Sequence, residues 1–173
     1  GTQVMKLLGA VLLTAAASVM GLFKARELKA SSQSLREIIS LLELMRNEIC
    51  TRRTPIKQIF SCSNLPDYRY MNSFISSLET ELSSLGSKSF TQIWCENAEK
   101  TLQMLSKSSR QALKDLGSSI GKYDAELQSA SIDRCISELN DEYKKLNEGL
   151  ENNEKMYIGL GTGIGLIFAI ILS

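Results

Sequence analysis

The side chains that most often do chemistry are few in this 173-residue chain: four cysteines, several carboxylate pairs and no histidine. Without imidazole there is no Ser-His-Asp or Cys-His hydrolase, no histidine acid–base catalysis and no metal site that needs a His ligand. Cys50, Cys62, Cys95 and Cys135 are 12, 33 and 40 residues apart, so no C-x-x-C pair exists. Thiols spaced in this way act as small apolar fillers in a reducing compartment, or form two disulfides if the domain faces an oxidising space. Cys62, between Ser61 and Ser63, has no histidine base to activate it. The acidic pairs Glu148/Glu151 and Asp141/Glu142 share a helix with Lys144 and Lys145, which reads as a solvated mixed-charge face. Catalysis, a cofactor and a metal are therefore not expected.

Two other groups of residues suit contact rather than catalysis. Gly159 and Gly163, and likewise Gly161 and Gly165, form two overlapping G-x-x-x-G pairs. In lipid, small residues at that spacing let helix backbones approach closely. A phosphate loop needs glycine at 164 or 166, where the chain has Ile164 and Leu166, so G-x-G-x-x-G fails on spacing. Arg52-Arg53 beside Thr54-Pro55 reads as a small docking patch for an acidic partner, a lipid-facing cluster or a structural loop cation. Trp94, on an apolar stripe, reads as core.

The elements that must position these residues follow from hydrophobic patterning. Twenty Lys+Arg against nineteen Asp+Glu leave a net charge of +1, which argues against nucleic-acid binding by bulk positive charge. A hydrophobic fraction of 43% excludes wholesale disorder. Gly1–Val4 ahead of Met5 reads as an expression remnant. Leu7–Phe23 and Met156–Ser173 are uncharged runs of 17 and 18 residues, at the short end of what crosses hydrocarbon as a helix. They predict membrane spans over 5–24 and 156–173. For the first, a signal peptide cleaved after Ala17 is the alternative. Lys24, Arg26 and Lys29 just downstream favour a retained anchor with the following domain inside.

Residues 25–155 carry apolar positions at helical spacing. Leu35, Ile38, Ile39, Leu42, Met45 and Ile49 make one stripe. Met71, Phe74, Ile75, Leu78, Leu82 and Leu85 make a second; Phe90, Ile93, Trp94, Ala98, Leu102 and Leu105 a third; Leu113, Leu116 and Ile120 a short fourth. The last, Ile132, Ile136, Leu139, Tyr143, Leu146 and Leu150, alternates steps of four and three, the heptad spacing of a seam against a neighbouring helix. The punctuation agrees. Thr54-Pro55 reads as an N-cap with proline at the first helical position. Pro66 and Asp67 open the next helix, Gly86 ends it, and Ser87 or Ser89 caps its successor. Gly117 and Gly121 bracket the end of a short helix, and Asp124 caps the last one, with Glu126 in its first turn. Only Gly149 interrupts the path into the final span. The expectation is an all-α fold: a compact bundle of about six helices between N- and C-terminal transmembrane helices.

These residues resemble the stage III sporulation protein AB family of endospore-forming bacteria over nearly the whole chain from Met5. Met5-Lys6-Leu7-Leu8-Gly9-Ala10 is similar to its N-terminal span, and Leu42, Glu48 and Ile49 followed by Thr54-Pro55-Ile56 to its helix closing on Thr-Pro-Leu. Leu116-Gly117-Ser118-Ser119-Ile120-Gly121, then Asp124 and Gln128, is similar to its Leu-Gly-x-x-Leu-Gly turn, and Lys155-Met156-Tyr157 leads into a glycine-rich span. Arg46, Thr51 and Ile120 depart from the pattern, where glutamate, an aromatic residue and leucine are expected. The resemblance implies the six-helix cytoplasmic domain of the inner-membrane platform proteins of type II secretion and type IV pilus machines. It implies a non-catalytic role in the mother-cell membrane around the forespore, with the soluble domain facing the cytoplasm. The implied partners are a secretion-type ATPase of the same operon, other membrane subunits of the channel and the lipid bilayer, with no nucleic acid. Candidate contact residues are Glu48, Arg52, Arg53, Asp124 and Gln128, Asp124 being equally explained as a cap. A membrane-anchored or secreted helical interaction module without ATPase contact is the alternative.

Overall fold

The structure, a computed structural model, describes the backbone of residues 2–61, 65–84, 88–120 and 125–172. Side chains are described throughout these except at 2–3, 6–8, 10, 13–14, 125, 154 and 157–172. Six α-helices are present, with no strand among the described residues. They are α1 (Thr2–Asn47), α2 (Ile56–Ser61), α3 (Asn72–Ser83), α4 (Phe90–Thr101), α5 (Lys107–Ser119) and α6 (Ala125–Leu172), and a π-helical turn, Glu48–Arg52, follows α1.

The chain divides into two compact units, and the core belongs to Ser31–Leu146. Every described residue of the first four apolar stripes except half-buried Phe90 is buried there, as are Ile132 and Leu139 of the fifth. Ile136, Tyr143 and Leu146 pack against that core from its edge. Cys135 is buried between them, a thiol used as an apolar filler. Trp94 is the centre. Its ring lies 5.1 Å from Phe74 edge-on, 5.7 Å from Phe90 and 6.3 Å from Phe60, all within the range of favourable aromatic pairs. Its indole N–H donates to the Leu113 carbonyl at 2.7 Å, so this buried donor is paired.

The ends of the helices show where local reading stops. Ser89 caps α4 in a capping box with Gln92, as its spacing predicts. Ser106 caps α5. Residues Pro66 and Asp67 do not open a helix: the chain stays irregular to Tyr68, and α3 begins at Asn72. Its start is fixed from a distance, because the Glu37 carboxylate of α1 accepts the N–H groups of Arg69, Tyr70 and Met71 at 3.2, 2.7 and 3.0 Å. Thr54 does not cap α2. The Pro55 carbonyl takes the first helical N–H groups, from Gln58 and Ile59, and the Thr54 hydroxyl turns back to Glu48 instead. Helix α5 ends at Ser119, just beyond Gly117, as the glycine spacing predicts, and Gly117 lies in its last turns, buried against Trp94. Gly86, Ser87, Gly121 and Asp124 lie outside the described residues.

The second unit comprises residues 1–30 and 147–173. On α1 it exposes Val11, Leu12, Val19, Met20, Leu22 and Phe23, followed by a Lys24–Glu27 ion pair. Among the described residues no helix is long and apolar enough to cross a membrane. The expected C-terminal span, with Gly159, Gly161, Gly163 and Gly165, is helical in backbone, and its side chains from 157 onward lie outside the described residues. Helix α1 passes residue 24, and α6 includes Gly149, with nothing near the position of a Cβ there.

Candidate interaction site at the turn after the first helix

Where α1 ends, the hydrogen-bond ladder widens by one residue and then reverses hand. Arg53 has φ 52° and ψ 34°, the only non-glycine residue with positive φ among the described residues. A side chain in that region costs on the order of 1 kcal/mol or more, and it persists only where surrounding bonds hold it. Glu48 supplies those bonds. Its carbonyl accepts the N–H groups of both Arg53 and Thr54, the second at 3.0 Å. Its carboxylate accepts from the Arg52 guanidinium at 2.8 Å and from the Thr54 hydroxyl at 2.7 Å. Pro55 then blocks any continuation of the earlier helix.

The turn stands between two open grooves. One, of about 690 Å³, is lined by Ile49, Arg53, Thr54, Pro55, Ile56, Glu126 and Gln128. The other, of about 520 Å³, is lined by Ser40, Glu43, Leu44, Asn47, Glu48, Thr51 and Arg52. The five contact candidates therefore do not form one patch. Arg53 and Gln128 meet in the first groove although they are far apart in sequence. Glu48 and Arg52 line the second, and Asp124 lies outside the described residues. Glu126, read from sequence only as an acid in a first helical turn, joins Arg53 in the first groove. Nothing local in the sequence brings α6 to that place. The burial of Ile132, Cys135 and Leu139 in the core holds α6 nearby, and the ion pair of Arg46 with Asp133 at 2.8 Å gives the departure at Arg46 a structural partner.

The site can hold a peptide by charge and hydrogen bonds, with apolar floor from Ile49 and Ile56. No nucleophile is poised in it. Of the described cysteines Cys50 is exposed, burial pushes the Cys95 thiol up, and burial pushes Cys135 up to about 12. No group of acidic or thiol ligands able to hold a metal ion occurs among the described residues.

The chain matches known proteins in sequence and in fold. The family model described as stage III sporulation protein AB matches residues 6–173, and the chain belongs to that family. It is 26% identical over 174 residues to stage III sporulation protein AB of Bacillus subtilis (strain 168), covering 97% of this chain and 99% of that one. A solved structure of stage III sporulation protein AB superposes with a TM-score of 0.54 at 20% identity, over 70% of this chain and 97% of that one, a likeness of fold.

Proposed function

We propose that this sporulation protein is a non-catalytic membrane platform in a secretion-like channel between mother cell and forespore, and that it docks a secretion-type ATPase at the turn after α1. The observation that carries this reading is the Arg53 turn. A left-handed arginine, held open by four hydrogen bonds to one glutamate, stands between two grooves that contain four of the five contact candidates. Backbone held in a sparsely populated conformation clusters at binding sites, where the rest of the fold offsets its strain. The uncharged runs 7–23 and 156–173 anchor the bundle at both ends, in the mother-cell membrane around the forespore. The cations Lys24, Arg26 and Lys29 keep it on the cytoplasmic side. Partner binding at the turn bears on α1 directly, and α1 is the helix that enters the lipid.

The test is co-purification of the full-length protein with the ATPase of its operon from membranes of sporulating cells. The platform reading expects a complex that Arg52→Glu with Arg53→Glu weakens while helix content stays unchanged. Complex yield untouched by the double substitution removes the turn as the contact. No complex under crosslinking, in a protein that fractionates with membranes, leaves a membrane-anchored interaction module that serves other subunits of the channel.

A further inference from the structure

The groove that Arg53 and Gln128 share holds two charges of opposite sign that the chain does not pair. Arg53 comes from the turn after α1, and Glu126 from the first turn of α6. Neither makes an ion pair among the described residues. Glu48, which fixes the Arg53 backbone, commits its carboxylate to Arg52 and Thr54. Of the other cations on α1 and α6, Arg46 pairs with Asp133 and Arg134 with Glu138. Ile49, Pro55 and Ile56 supply the apolar part of the lining. The groove is open and about 690 Å³ in volume, room for several side chains rather than an enclosed ligand pocket.

These features exclude classes of occupant. An anion alone, such as a phosphate or a lipid headgroup, sets its charge against Glu126, and a cation alone meets Arg53; like charges brought together cost affinity. The occupant therefore carries both signs, with apolar surface between them. An extended peptide finds no sheet edge to pair with, because there is no strand among the described residues. A helix needs no such edge, since its backbone bonds are internal. It also presents side chains three and four residues apart on one face.

We infer that this groove binds a helical segment of a partner protein in which an apolar side chain is flanked, within one turn, by a carboxylate and by a Lys or Arg. The carboxylate meets Arg53, the cation meets Glu126, and the apolar side chain lies on Ile49, Pro55 and Ile56. The inference rests on the reading of the turn as an interaction site and names what that site recognises. It also gives the left-handed position a reason to carry arginine where glycine fits without strain: the side chain supplies one pole of the recognition.

The test is photo-crosslinking of the full-length protein in membranes of sporulating cells. A p-benzoylphenylalanine stands in place of Ile56 or, separately, of Gln128, and the attached peptide is identified by mass spectrometry. An adduct to a segment of that pattern is expected. Its yield falls by about fivefold with Arg53→Glu and with Glu126→Lys alike, the size of an exposed ion pair, in variants whose helix content is unchanged. A yield untouched by either substitution overturns the inference, and a yield raised by Glu126→Lys overturns it in favour of an anionic occupant. Recovery in Arg53→Glu with Glu126→Arg overturns it too, because the two side chains then serve only to pair with each other. An attached segment that lacks either charge, an adduct to lipid alone, or no adduct at either position from a protein that fractionates with membranes has the same force. The result is independent of the ATPase. An adduct of the expected pattern in another channel subunit removes the ATPase contact and leaves this inference standing, and an ATPase adduct of a different pattern does the reverse.

Discussion

An alanine at position 117 brings its Cβ to 2.2 Å from Trp94 Cδ1, far inside van der Waals contact, and Trp94 is wedged among three phenylalanines. Gly117→Ala is therefore expected to destabilise by about 1–3 kcal/mol through overpacking, despite the helix propensity it gains. Gly149→Ala, with open space around it, is expected to stabilise by about 1 kcal/mol. Urea midpoints of the two variants moving in opposite directions check the pair. Glu37→Ala removes the acceptor for three N–H groups at the start of α3 and is expected to cost about 1–2 kcal/mol, read the same way. Cys135 carries a pH dependence. An unfolded thiol ionises near about 8.5, whereas burial holds this one at about 12. Between those values the unfolded chain binds fewer protons than the fold, so stability is unaffected below about pH 8.5 and falls as pH rises towards 12. Cys135→Ala flattens that part of the alkaline stability profile. At neutral pH, exposed Cys50 is expected to react with a thiol reagent and Cys135 only on unfolding. Burial was readable at these positions because each lies on or beside a periodic stripe. The close approach at Gly117 was not, because it depends on which face of α4 meets α5.

At the scale of elements, the helices themselves were legible and several of their ends were not. Ser89 and Gln92 are three residues apart and announce the start of α4. The start of α3 depends on a carboxylate 32 to 34 residues upstream, which no local pattern contains. The turn after α1 is the same lesson at the candidate site. Thr54-Pro55 signals a boundary, but the π-helical widening and the left-handed Arg53 arise from Glu48 reaching forward to three residues at once. Two substitutions separate its roles. Glu48→Ala removes the bonds that hold the turn and is expected to destabilise by about 1–3 kcal/mol. Arg53→Gly relieves the left-handed backbone and is expected to leave stability unchanged or raise it by about 0.5–1 kcal/mol, while lowering recovery of the ATPase complex. Denaturation midpoints and co-purification yield, measured on the same preparations, check both.

At the scale of the molecule, an all-α chain with its core in the middle follows from periodicity and two uncharged ends. The number of helices follows from the breakers between the stripes. The candidate contacts were half legible: Arg52 and Arg53 stand out as neighbouring cations, but the sharing of a groove by Arg53, Glu126 and Gln128 is made by tertiary packing. The fully buried indole has a further consequence. Trp94 is the single tryptophan of the chain, and it contacts residues of α2, α3, α4 and α5 together. The tryptophan fluorescence of the protein, excited selectively over its tyrosines, is therefore one buried signal, blue-shifted while those four helices stay assembled and shifting to the red when they part. A partner that binds at the turn and leaves that emission unmoved has engaged the protein without disturbing its core.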